Sequence, residues 1–242
     1  MHKLSSEELR SLKDQSMMVE KGGQRFSVRL AVTGGHLDAA QLQLIAALAT
    51  RFGEGCVHLT TRQGVEIPHV PLANLESLRL AIEEVGLKLA PMGRRVRGIT
   101  GCPGGSCPRG LIDSQELAHT LQAQVGRRSG LPHKFKIAVS GCPNGCTKPL
   151  ENDLGIMGHG KKFAVFVGGK MGKQPRPADR LPLEIAEEEH LLRIVRAVLD
   201  WYAVEGEPGE RFGATIDRLG LARLLQSLER DNTGSITANQ GG

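Results

Sequence analysis

Two short stretches concentrate the residues able to do chemistry. GITGCPGGSCPRG, residues 98–110, carries Cys102 and Cys107 with four residues between them, and SGCPNGCTKP, residues 140–149, carries Cys142 and Cys146 with three between them. Glycine and proline around both pairs favour turns over regular structure, so each pair of sulfurs is able to face one centre. Four thiols in two close pairs suit a metal ion, an iron–sulfur cluster, disulfides or plain packing. Structural zinc favours pairs two residues apart, whereas wider spacings with glycine and proline suit a larger cubane. The fifth cysteine, Cys56, stands alone in the alternating stretch CVHLT and reads as a small buried hydrophobe. GIMGHGKK, residues 155–162, has the glycines and lysine of a phosphate loop, but Lys162 stands where magnesium needs Ser or Thr. A glycine-rich hairpin is the better reading.

The elements that hold these loops follow from hydrophobic period. RFSVRLAV (25–32) alternates as a strand does, AAQLQLIAALATRF (39–52) repeats at helical spacing, CVHLTTRQGVEIPHV (56–70) reads as two strands around Gly64, and LESLRLAIEEVG (75–86) reads as an amphipathic helix. Ser5 and Glu8 form a capping-box pair that opens a short helix ahead of them. This is the pattern of an α+β unit with its helices on one face of a sheet. Between residues 98 and 160 Gly, Pro and Cys concentrate, marking a second unit. Strands are expected there at RVRGIT (95–100), KFKIAVSG (134–141) and KFAVFVGG (162–169), and helices at 114–126, 184–206 and 215–228. The expected organisation is an N-terminal arm (1–22), a first domain (23–90), a second domain (91–230) and a polar, flexible tail (231–242).

With 242 residues and 40% hydrophobic content, the chain is able to bury a sizeable core. MHKLSSEELRSLKDQ opens it with a polar stretch, and no apolar run approaches the roughly 18 residues of a membrane span, so a cytoplasmic protein without a membrane partner is expected. In a reducing cytosol, five clustered cysteines serve better as thiolate ligands than as a disulfide framework. Lys+Arg 31 against Asp+Glu 26 gives a net charge of +5, consistent with a mildly basic surface or a small anionic ligand. Aromatic residues make up 3%, too few to stack bases, so no nucleic-acid partner is expected.

GITGCPGGSCPRG together with LPHKFKIAVSGCPNGCTKP (131–149) closely resembles the siroheme- and 4Fe-4S-containing sulfite and nitrite reductases, and TTRQG (60–64) and GERFGATIDRLG (209–220) are similar to that family's flanking segments. The likeness spans most of residues 25–220. The family's first pair usually has five residues between its cysteines, one more than here. The resemblance implies an α+β protein with a ferredoxin-like half domain followed by an α/β siroheme and 4Fe-4S domain. It implies that Cys102, Cys107, Cys142 and Cys146 bind the cubane, and that Cys146 also ligates the siroheme iron, so that one sulfur couples both cofactors. The implied activity is six-electron reduction of sulfite to sulfide or of nitrite to ammonia. The alternative is a non-catalytic 4Fe-4S electron carrier without siroheme.

By the same resemblance, the oxyanion-binding positions map onto Arg62 in TTRQG, Arg97 in RVRGITG, and Lys134 and Lys136 in HKFKI. The local pattern agrees for the lysines, because residues two apart on a strand share a side. Arg suits forked binding of an oxyanion, and Lys is also able to donate a proton. Siroheme's carboxylates call for further cations, and Arg94, Arg95, Arg109, Lys148, Lys170 and Arg176 all fall in Gly- or Pro-rich stretches. No dinucleotide fingerprint follows a strand, so electrons are expected from a separate, ferredoxin-like donor protein. Full-length members of the family contain two related halves, cations in the first and cysteines in the second. This chain has the length of one half yet carries both sets, which leads to the expectation of a homo-oligomer built on two-fold pairs, the cations of one protomer facing the siroheme of the other.

Overall fold

Helix α1 (Ser6–Asp14) begins at the capping box: Ser5 Oγ accepts from Glu8 N at 3.2 Å, and Glu8 Oε2 accepts from Ser5 N at 2.7 Å. The computed structural model describes residues 4–234 and divides into two units by their internal packing, the first running to Gly93 with Arg97–Thr100, the second comprising Arg94–Val96 and the chain from Gly101 onward. In the first unit α1 is followed by β1 (Met17–Val19), β2 (Arg25–Leu30), α2 (Ala39–Phe52), β3 (His58–Leu59), β4 (Val65–Pro71) and α3 (Leu75–Glu84). The sheet order is β1-β2-β4-β3, all pairs antiparallel. The segment expected as an arm thus supplies the sheet's edge strand β1, paired from Met17 to Val19 with Val28 to Phe26.

Strand β2 buries Phe26, Val28 and Leu30, as its alternation predicts. On β4, Val65 and Ile67 are buried, and the next buried residue is Val70, one place out of phase. A bulge accounts for the slip: the register shifts between Phe26 and Val28, and His69 stands at φ 62° with its N–H donated to Glu20 Oε1 at 2.8 Å. Ile45, Leu48, Leu78 and Ile82 of α2 and α3 complete this core. Cys56 is exposed, which corrects the expectation of a buried position. It lies two residues before β3, an edge strand of two residues that are both exposed, so no face exists there to bury a small side chain.

In the second unit the elements are β5 (Thr100–Gly101), α4 (Ser114–Val125), β6 (Ile137–Ser140), β7 (Leu154–His159), β8 (Lys162–Val167), β9 (Asp179–Arg180), α5 (Glu188–Glu205), α6 (Phe212–Leu219) and α7 (Leu221–Gly234). The sheet runs β5-β6-β7-β8-β9, with β6 parallel to β7 and the pairs β7–β8 and β8–β9 antiparallel. GIMGHGKK forms the β7–β8 hairpin, His159 pairing with Lys162 across its turn. RVRGIT does not form one strand. Its backbone changes partner midway, Val96 N donating to Arg128 O while Ile99 O accepts from Gly34 N, so only Thr100–Gly101 joins the sheet. The helix expected over 215–228 is two helices, divided at Gly220, whose φ of 88° ends α6. Of the tail expected from residue 231, α7 takes the part to Gly234, and residues 235–242 lie outside the described residues.

Phe135, Trp201, Tyr202 and Phe212 form the centre of this unit's packing. Phe212 lies 5.2 Å from both Phe135 and Tyr202 and 6.1 Å from Trp201, ring centre to ring centre, and pairs in this range add about 0.5–1.5 kcal/mol each beyond area burial. Four of the chain's eight aromatics thus anchor the segment that enters β6.

Candidate functional site

Strand β6 ends at Ser140 and leads directly into the loop that carries Cys142 and Cys146. The buried Ser140 hydroxyl closes that loop, lying 2.7 Å from Thr147 Oγ1 and accepting from Thr147 N at 3.2 Å. Within the loop Gly145 N donates to Cys142 O at 3.2 Å and Lys148 N to Gly145 O at 2.7 Å. Two residues adopt left-handed backbone to make the turn, Gly145 at φ 61° and Lys148 at φ 54°, and for a lysine this costs roughly 1–2 kcal/mol.

The loop of Cys102 and Cys107 is laced to this one through main chain. Cys102 N donates to Val139 O at 3.2 Å, Leu111 N and Ile112 N donate to Gly141 O at 2.8 and 3.3 Å, and Gly141 N donates to Cys102 Sγ at 3.0 Å. These approaches leave no room for a side chain: a Cβ on Gly141 would lie 3.2 Å from Gly104 Cα, and one on Gly158 would lie 2.5 Å from Gly141 O. All five cysteines of the chain are free thiols; Cys102 is buried, Cys107 and Cys142 are half-buried, and Cys146 is exposed. Among the described residues, no three Cys, His, Asp or Glu side chains converge on one ion. The donor set is four soft thiols on two interlocked loops, and one sulfur already receives an N–H bond of the kind that tunes cluster thiolates. Such a set fits a 4Fe-4S cluster.

Lys134 and Lys136 lie at the other end of β6. Both are half-buried and flank Phe135, which is fully buried, so the extended chain turns the two lysines to the side opposite the aromatic centre. Lys136 O accepts from Leu154 N at 3.0 Å, continuing the pairing of β6 with β7. Five residues of largely extended chain lie between Lys136 and Cys142, a span of up to roughly 20 Å over the six steps. In the first unit, Arg62 and Arg97 come together on one segment: Arg62 Nη2 donates to Gly98 O at 3.1 Å, while Arg97 donates to Pro91 O at 3.2 Å and Gly93 O at 3.3 Å. Gln63, at φ 58°, makes the tight turn between β3 and β4 that sets Arg62.

The cations expected to meet siroheme carboxylates divide. Arg94, Arg95, Arg109 and Lys148 are exposed, and Arg94 Nε donates to Leu131 O at 2.8 Å. Lys170 is half-buried, its backbone paired with that of Arg176 at 2.8 and 2.7 Å. The guanidinium of Arg176 bonds Asp217 at 2.8 Å, Asp179 at 2.6 Å and Gly168 O at 3.1 Å. Its charge is already matched by two carboxylates, which makes it a tie between the Gly168–Arg176 turn and α6.

Sequence reasoning missed Asp153. This carboxylate is fully buried, its Oδ2 accepts from Lys136 N at 2.8 Å, and both oxygens accept from Arg211 Nη2 at 2.8 Å. Burial pushes its pKa up, and the Arg211 guanidinium followed by the Lys136 N–H opposes the shift. The available signal was an acidic residue directly before the apolar run of β7, a position where a lone charge requires a partner. Arg211→Ala would leave that carboxylate buried and uncompensated, at an expected cost of about 3–5 kcal/mol in chemical denaturation. A loss below about 1 kcal/mol would show that the pair does not hold the unit together.

Residues 92–234 match the nitrite and sulphite reductase 4Fe-4S domain, and residues 18–85 match the nitrite/sulfite reductase ferredoxin-like half domain. The chain belongs to the nitrite and sulfite reductase family. Among relatives in this family, the assimilatory ferredoxin-dependent nitrite reductase of Haloferax mediterranei is 31% identical over 234 residues, covering 85% of this chain and 40% of that protein. The coenzyme F420-dependent sulfite reductase of Methanocaldococcus jannaschii is 36% identical over 129 residues, covering 53% of this chain and 20% of that one. The Mycobacterium tuberculosis NirA protein shares the fold with a TM-score of 0.82 at 21% identity, over 94% of this chain and 47% of that chain. Against these two relatives, this nitrite and sulfite reductase family member spans 40% or less of their length.

Proposed function

We propose that this chain is a small siroheme-dependent reductase of an inorganic oxyanion, nitrite or sulfite, holding a 4Fe-4S cluster on Cys102, Cys107, Cys142 and Cys146. The observation that carries the reading is the backbone lacing of the two cysteine loops, above all the Gly141 N–H bond to Cys102 Sγ, which brings thiols some forty residues apart onto adjacent turns. Cys146 would hold siroheme as well as the cluster, and the bound cofactors would relay to the anion the six electrons that a donor protein supplies. The chain's own residues bind and protonate. Arg62 and Arg97 offer guanidinium forks to the oxyanion, and Lys134 Nζ and Lys136 Nζ hold protons for oxygens that leave as water. Arg94, Arg95, Arg109, Lys148 and Lys170 neutralise tetrapyrrole carboxylates. Asp153 fixes the backbone of Lys136.

A separate protein donates the electrons in the cytoplasm. Two chains pair about a two-fold axis so that each siroheme meets the cations of the partner. The placement of Lys136 and Cys142 at opposite ends of β6 supports this arrangement. No helix among the described residues is long and apolar enough to cross a membrane.

Purification without air, followed by an absorption spectrum and assays of nitrite and sulfite consumption with a chemical reductant, tests the reading. Isobacteriochlorin bands over a broad cluster shoulder, with turnover of at least one anion, are expected. A cluster shoulder alone with no turnover would leave an electron carrier, and a colourless protein would end the proposal.

A further inference from the structure

Ser114, the first residue of α4, places a hydroxyl between two atoms of a single cysteine. The side chain is fully buried, its Oγ donates to Cys102 O at 2.8 Å, and the same Oγ lies 3.1 Å from Cys102 Sγ. Gln115 Nε2 also donates to Cys102 O, at 3.0 Å. The position is fixed from both sides. Asp113 caps the helix through Gln115 N and Glu116 N, both at 3.0 Å, and Gly104 packs so tightly that a Cβ there would lie 2.4 Å from Ser114 Oγ. A hydroxyl has one proton, and here it has two acceptors.

The charge of the sulfur decides between them. Beside a neutral thiol, the carbonyl is the better acceptor. Once Cys102 is a thiolate on iron, a charge-assisted bond to sulfur is roughly twice as strong as a neutral one, and the carbonyl keeps the amide of Gln115. We propose that in the loaded protein Ser114 donates its hydroxyl proton to the Cys102 thiolate and, together with the Gly141 N–H, raises the reduction potential of the cluster. Reduction adds negative charge to the cluster, and donors aimed at its sulfurs stabilise the more negative state more than the oxidised one. Ser114 is thus a positioning and tuning residue that acts through a ligand, and the inference rests on the reading of Cys102 as a cluster ligand.

A redox titration of the full chain, followed by the electron paramagnetic resonance of the reduced cluster, provides the test. Iron and sulfide analysis of the wild type comes first: about five irons, four in the cluster and one in siroheme, and about four sulfides per chain are expected, and absence of the sulfide would remove the ligand reading itself, and with it this inference. In loaded Ser114→Ala the one-electron equilibrium should move about tenfold toward the oxidised state, a potential lower by about 59 mV. Ser114→Thr, which keeps the hydroxyl, should restore the wild-type value. A loaded Ser114→Ala protein with an unchanged potential overturns the role of Ser114 and leaves the ligand reading intact. Should Ser114→Ala fail to load, Gln115→Ala carries the test. Its loss should hold the hydroxyl on the carbonyl and lower the potential, and an unchanged potential would overturn the proposal.

Discussion

Cys146→Ser is expected to abolish turnover while leaving the second unit folded. Cys146 is exposed, and the loop around it is held by bonds that do not involve its sulfur: Ser140 to Thr147, Gly145 N to Cys142 O and Lys148 N to Gly145 O. An exposed substitution away from such ties changes stability by no more than about 0.5 kcal/mol. The function proposed above gives this one sulfur two metals to bridge, so its loss should uncouple the haem from the cluster as well as remove a ligand. Cys102→Ser should behave differently. That sulfur is buried and accepts the Gly141 N–H, so its variant should lose cluster content and some stability together. Comparison of cluster content, haem–cluster spectral coupling and activity across all four cysteine variants decides the matter. A coupled, active haem in Cys146→Ser, with coupling lost in another variant, would assign the bridge elsewhere.

Mixing two inactive chains should restore activity. Lys136→Ala keeps every cysteine and should slow turnover by about 10²–10³, the usual effect of removing one preorganised charge contact. Cys146→Ser keeps every cation and should have no turnover. If each catalytic site takes its cations from one chain and its cluster from the other, a dimer of the two variants contains one site with both intact sets. Random pairing in equal amounts then gives about a quarter of wild-type activity. Were both sets drawn from one chain, every site would carry a defect and the mixture would stay near the level of the variants alone. Co-purification through two different affinity tags confirms that mixed dimers form before activity is read.

The elements governed by local periodicity were legible in the sequence. The helix over Ala39–Phe52, the strand beginning at Arg25 and the capping box at Ser5 appear where the apolar spacing and the cap residues placed them, because the forces that set them act over a few neighbours. RVRGIT misled because its alternation is sound, yet its hydrogen-bond partners lie at Arg128 and Gly34, which no local window contains. Cys56 misled for a similar reason: alternation says which residues share a face, not whether anything covers that face. At the candidate site the cysteines stood out by type and spacing. Asp153 and its partner Arg211, fifty-eight residues apart, did not, nor did the two carboxylates that claim Arg176. Electrostatic partnership over long separations leaves no periodic trace.

Lys148 sits in a backbone conformation that suits glycine, two residues beyond Cys146 and with its side chain exposed. A selection for thermal robustness alone would find this residue early, since glycine relieves the left-handed backbone at little steric cost. The same change would strip a positive charge from the rim of the cysteine loop. If Lys148 meets a cofactor carboxylate as proposed, stability and catalysis pull one codon in opposite directions, and variants evolved for heat tolerance without a concurrent demand for turnover should drift toward sturdy, poorly active protein through this position.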